Sequence, residues 1–303
     1  MQEGKPSNTA FAVALGCLCI LKSSKFPLWD PRIGAMLEAT LQQAPLPFRL
    51  FNSLFKSRVG CKFANGAMNI FIPGMFAHYV VRKMFIEKQV RKTLESGITQ
   101  AVVVGAGFDT LALRLATDFP AVSFLEIDHP STQKVKIKIT EACLHSSESV
   151  PQNFTFTAAD LTSESLNNVL QRAGYNSALP GIFIIEGVLM YLSQQQVAQV
   201  FAAIKQSTAQ KSMCIFTFME KDSQGRIGFG KSNLQAVNTW LKLKNEPFRW
   251  GLAPQEISAF LETEGWKLST LSTYEDLCAA LKNAQVIDSS PASGEHVALA
   301  VRN

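Results

Sequence analysis

The chain has 303 residues, 47% of them hydrophobic and 17% charged. That is enough to bury one large α/β core, with or without an appendage. Its net charge of +5 is spread over scattered Lys and Arg rather than gathered in a stripe, which argues against nucleic acid as a partner. The cysteines at 17, 19, 61, 143, 214 and 278 form no C-x-x-C pair and match no zinc-site spacing, so no metal is expected. They point instead to a reducing, cytoplasmic compartment.

Ala10 to Leu21 is apolar throughout but shorter than the roughly 20 residues that cross a bilayer. Lys22-Ser-Ser-Lys25 follows it, not a small-residue cleavage site, so it reads as a buried helix and no membrane contact is expected. Asp30-Pro31 opens a second helix, with Asp as cap and Pro in the first turn. Pro45 and Pro47 break the chain before a short helical stretch at about 48–57. Gly60, Gly66 and Pro73 mark 58–73 as a loop. From Gly74 the run MFAHYVVRKMFIEKQVRKTLE has helical periodicity.

After Gly97 the pattern changes. Strands are expected at Ala101–Val104, Ser123–Ile127, Phe154–Ala158, Gly181–Ile185, Met213–Phe218, Lys267–Leu271 and Val297–Val301. Helices at Thr110–Thr117, Thr132–Leu144, Glu164–Arg172 and Gln194–Gln206 separate the first five. Such alternation predicts a doubly wound, mostly parallel sheet. Two parts follow: a helical segment, 1–96, packing on the core and closing its ligand site, and an α/β core, 97–303. Residues 220–252 interrupt the rhythm with Gly225, Gly228 and Gly230 and the aromatics Trp240, Phe248 and Trp250, as an insertion or lid.

Ligands of an open α/β sheet bind beyond the C-terminal strand ends. The first strand runs into Gly105-Ala106-Gly107-Phe108-Asp109-Thr110. A dinucleotide fingerprint wants a third glycine where Thr110 stands, and Asp109 would compete with a phosphate for the helix N-terminus. Asp109 suits a ligand ammonium better. Asp128 follows Gly105 by roughly the 20 residues expected of a ribose-binding acid. Glu126 shares its face, as a second ribose candidate or the partner of a nearby cation. Asp160-Leu161 after the third strand can meet an adenine, or Asp160 can cap the next helix. Glu186 follows the fourth. Together these describe an S-adenosylmethionine site.

GAGFDTLALRL, FLEIDHP, AADL and IIEGVLMYL, in this order, resemble the leucine carboxyl methyltransferase family of class I S-adenosylmethionine-dependent methyltransferases. The resemblance covers about residues 7–219, and more loosely the stretch to GEHVALAV. That family includes the methylase of a phosphatase catalytic subunit's C-terminal leucine and bacterial O-methyltransferases, some linked to polyketides. The resemblance implies a seven-stranded sheet whose last strand is antiparallel. It implies cofactor contacts at Gly105, Asp128, Asp160, Leu161 and Glu186, with Arg82 on the cofactor carboxylate, and Tyr191 pointing into the pocket. Where the phosphatase methylases carry a basic residue before Phe-Ala-Val, this chain has Ser7-Asn8-Thr9-Ala10 before Phe11. Thr9 can still donate a hydroxyl, but the departure favours the bacterial small-molecule branch.

Methyl transfer needs alignment above all, and a general base only where the acceptor is a hydroxyl rather than a carboxylate. Tyr191 is the positioning candidate. His78, four residues from Arg82 and on its helical face, is the second. Alternatives are a protein C-terminal carboxyl methyltransferase, an NAD-dependent oxidoreductase, and a non-catalytic binding module of the same fold.

Overall fold

A computed structural model describes residues 6–23, 31–44, 55, 57–143, 149–161, 163–230, 232, 237, 239, 241, 246–283 and 290–303. Among the described residues four helices precede the sheet: α1 (Asn8–Ser23), α2 (Pro31–Gln42), α3 (Arg58–Phe71) and α4 (Met75–Glu95). The apolar run expected to be a buried helix is α1, whose Leu15, Leu18 and Ile20 pack with Phe76 and Val80 of α4. Gly16 permits that approach, because a Cβ there would lie 2.7 Å from the Phe76 ring and 2.8 Å from the Tyr79 ring. No described helix is long and apolar enough to cross a membrane.

The expected loop at 58–73 is instead mostly helix α3. The Ser57 hydroxyl caps it by accepting from Gly60 N at 3.0 Å. Cys61, Ala64 and Met68, at helical spacing, join the α1–α4 cluster. A glycine inside a helix costs only about 1 kcal/mol, and that packing outweighs it here. Asp30 and the expected stretch at 48–57 lie largely outside the described residues.

The sheet follows the sequence pattern closely. Strands β1 (Gln100–Val104), β2 (Ser123–Asp128), β3 (Phe154–Ala158), β4 (Ile182–Ile185), β5 (Met213–Glu220), β7 (Trp266–Leu271) and β8 (Glu295–Arg302) take the order β3-β2-β1-β4-β5-β8-β7. All pairs up to β4–β5 are parallel, and β8 is antiparallel to both β5 and β7. A two-residue strand, β6 (Gly251–Leu252), adds to the end of β5 and was not foreseen. Side chains alternate between the two faces. Val102, Val104, Phe183, Ile185 and Phe216 meet Val197 and Phe201 of α8 (Gln194–Ser207). Ala101, Val103, Ile182, Ile184 and Ile215 meet Leu111 and Leu115 of α5 (Leu111–Asp118) and Val90 of α4 on the other.

Helix α6 (Pro130–Cys143) follows β2 and α7 (Leu166–Arg172) follows β3. Two further short helices, α9 (Ile257–Thr263) and α10 (Tyr274–Asn283), flank β7. Trp250, in the expected insertion, is core: it is buried against Phe218 and Phe260. Trp240 lies outside the described residues.

Candidate active site

The C-terminal ends of β1, β2 and β4 open into a cavity of about 420 Å³, roofed by the start of α1 and by residues 246–249. Gly105 and Gly107 turn the chain from β1 towards α5 with φ of 70° and 53°. A Cβ at Gly105 would fall 2.4 Å from a Val188 methyl, so the turn closes only with glycine there. Asp109 then accepts from Leu111 N at 2.9 Å and occupies the N-terminus of α5 itself. A phosphate would have to displace it.

Asp128 ends β2 and lines the cavity. Its carboxylate accepts from Gly107 N at 2.5 Å and from His129 N at 2.6 Å, which fixes it against the glycine turn. Burial pushes its pKa up, and those two N–H groups hold the rise in check. Glu126 turns out to be the cation's partner. It is fully buried on Lys136 of α6, 2.6 Å away, and is absent from the cavity wall.

Arg82 and Lys83 reach the cavity from α4, and acids meet both. Arg82 Nε and Nη2 converge on Glu186 at 2.9 and 2.7 Å, while Nη1 grips Glu295 of β8 at 2.8 and 2.7 Å. Lys83 Nζ bridges Asp109 at 2.8 Å and Glu186 at 3.0 Å. Burial works against the charges of Arg82, Lys83, Asp109 and Glu295. Lys83 nonetheless brings the Asp109 pKa far below the carboxylate range, and Arg82 with His78 brings that of Glu295 down to about 2.

Two expectations about placement change. His78 is not on the cavity wall: it is fully buried behind Arg82, its Nε2 2.9 Å from Glu295 and its ring edge-on to Phe229. Its contact is with Glu295, the partner of Arg82, rather than with the cavity. Asp160 and Leu161 also fall outside the wall. Asp160 stands 3.9 Å from the His129 ring and Leu161 is 38% exposed. Nor is Asp160 the cap of α7, since that cap is Ser165.

Thr9, Arg82, Gly105, Gly107, Asp109, Asp128, Glu186 and Tyr191 do converge on the cavity. Two acids escaped sequence reasoning. Glu295 joins the site only because β8 inserts beside β5. Glu246 lies in the insertion, 8% exposed, and accepts hydrogen bonds from the hydroxyls of Thr9 and Ser7. Thr9, expected to donate to a cofactor, therefore donates to Glu246. Tyr191 stacks obliquely on Phe248 at 5.8 Å, and burial, reinforced by Glu246, raises its pKa so that it stays a phenol. The 246–252 segment is pinned rather than free, by β6 and by Arg249 N donating to Met190 O at 2.8 Å.

Four acids, Asp109, Asp128, Glu186 and Glu246, and four bases, Arg82, Lys83, Arg114 and Arg249, line the cavity. A doubly wound sheet with a glycine turn capped by its own Asp, and an acid ending β2, defines a class I methyltransferase rather than a dinucleotide enzyme. A methyltransferase from Thermobifida fusca shares the fold, with a TM-score of 0.57 at 16% identity over 84% of this chain and 94% of that one. So does a DUF574 family protein from Streptomyces avermitilis, with a TM-score of 0.59 at 12% identity over 87% of this chain and 100% of the other. The leucine carboxyl methyltransferase model matches residues 45–205, and the chain belongs to that family.

A relative from Streptomyces coelicolor, 28% identical over 205 residues, carries the name of an S-adenosyl-L-methionine-dependent methyltransferase. The match covers 65% of this chain and 70% of that protein. The chain spans less of two further curated relatives, 59% and 46% of their lengths. With its family, this chain is an enzyme that transfers methyl groups from S-adenosylmethionine.

Proposed function

We propose that the enzyme methylates an oxygen, carboxylate or hydroxyl, of a small organic molecule. The observation that carries this reading is the apolar stretch of the cavity wall. Tyr191 stands there with Val13, Ile33 and Leu37, and Phe248 packs against the Tyr191 ring from outside the wall. Such a wall takes an apolar body, and the Tyr191 hydroxyl orients its oxygen. Thr9 occupies the place of the cation that marks phosphatase methylases, which favours a small molecule over a protein C-terminus.

When bound, S-adenosylmethionine supplies a methyl group activated on a sulfonium. We assign Asp128 to its ribose, the Gly105–Gly107 turn to close backbone approach, and Glu186 with Arg82 and Lys83 to its amino-acid end. The protein's own work is alignment and exclusion of water. We assign the cover to helices α1–α4 of the 1–96 segment. Tyr191, held as a phenol, donates a hydrogen bond and positions the acceptor; it does not serve as a base.

The test is a search of bacterial extracts with methyl-labelled S-adenosylmethionine, followed by size separation and mild alkali. Label in small products supports the reading, and alkali separates labile esters of a carboxylate from stable ethers of a hydroxyl. Label confined to protein would refute it.

A further inference from the structure

Besides Asp128, three carboxylates line the cavity: Asp109, Glu186 and Glu246. Asp109 and Glu186 share Lys83, and Glu186 also holds Arg82. Glu246 has no Lys, Arg or His within ion-pair distance among the described residues. It is nine-tenths buried, so water screens it poorly. The Thr9 and Ser7 hydroxyls satisfy its lone pairs without neutralising its charge. Among the described residues such a charge has no counter-ion, and a ligand that brings one offsets the cost of burying it.

S-adenosylmethionine carries two positive groups, the sulfonium and the α-ammonium. Only the ammonium has N–H donors that a carboxylate can accept. Asp109, the sequence candidate for that group, already serves Lys83 and the N-terminus of α5. We propose that Glu246, on the insertion, is the counter-ion of the cofactor's α-ammonium, and that Thr9 and Ser7 position it. The inference rests on the cofactor assignment. It gives the insertion a role in donor binding: Glu246 closes the wall between α1 and Tyr191 around a ligand amine.

Calorimetry with S-adenosylhomocysteine and its desamino analogue, in which hydrogen replaces the amine, tests this without knowledge of the acceptor. The full-length protein should prefer S-adenosylhomocysteine by about tenfold or more, the worth of one charged hydrogen bond. Glu246→Gln should erase that preference while changing the analogue's affinity by less than about twofold. Equal weakening of both ligands, or of neither, overturns the proposal. Wild-type protein that binds the analogue as tightly as S-adenosylhomocysteine overturns it too, even if the variant does not fold. Wild-type protein that binds neither ligand would sink the cofactor assignment itself, a separate result.

Discussion

Glu295→Gln should destabilise this protein by about 3 kcal/mol at neutral pH, and two routes lead to that figure. Burial pushes the Glu295 pKa up, but Arg82 and His78 reverse this and bring it from an ordinary 4.5 to about 2. At 1.36 kcal/mol per unit that shift is worth roughly 3 kcal/mol. Independently, removing one partner of a buried ion pair costs about 3–5 kcal/mol, and Glu295 and Arg82 are 3% and 5% exposed. The folded-state pKa is depressed, so the contribution is complete above about pH 4.5 and is lost as pH falls towards 2. Urea titrations of wild type and variant between pH 7 and pH 3 read this directly. The gap should narrow to about half by pH 3. With about 2.1 cal/mol/K per residue over the chain, Tm at pH 7 should fall by roughly 5 °C. A gap below about 1 kcal/mol at pH 7, or one constant with pH, would show that Arg82 does not depend on Glu295.

Two further outcomes follow from the glycine turn and its acid. Asp128→Ala should weaken S-adenosylhomocysteine binding by about tenfold or more in calorimetry, since a charge-assisted acceptor for the ribose is lost; unchanged affinity would remove Asp128 from the ribose. Gly105→Ala should cost about 1–3 kcal/mol through its left-handed backbone alone. The close contact of the new Cβ with Val188 adds to that cost. Introducing the same change into a Val188→Ala background relieves the contact but not the backbone term, so a residual loss in chemical denaturation is expected; full recovery would contradict it.

Most of the sheet was legible because each parallel strand, buried on both faces, writes a short apolar run bounded by turn residues. Val102–Val104 and Ile182–Ile185 are such runs, and the turns after them are where Gly105 and Glu186 stand. Local chemistry also marked Asp128, since a carboxylate ending an apolar strand has little packing purpose. Helix α3 was misread for the opposite reason. Its glycines are local signals for a loop, whereas Cys61, Ala64 and Met68 packing on α1 and α4 is tertiary. Asp160 shows a third kind of limit: a residue type and spacing do not say whether a side chain at a strand end lies on the cavity wall.

The charges of the site divide in the same way. Arg82 sits at a matched position on α4, so its presence near the cofactor could be inferred, but its partners could not. Glu295 is more than two hundred positions away in sequence and arrives only because β8 inserts antiparallel between β5 and β7. Once there, it changes what Arg82 can do. A guanidinium whose three nitrogens already meet two carboxylates is no longer an open clamp for a third. The cofactor carboxylate must then share Arg82 with Glu186 or displace it. A neutral or cationic approach through Glu246 needs no such exchange. With Arg82 and Lys83 already paired to acids, the cavity favours a donor that brings a sulfonium and an ammonium beside one carboxylate over a pyrophosphate, which brings only negative charge.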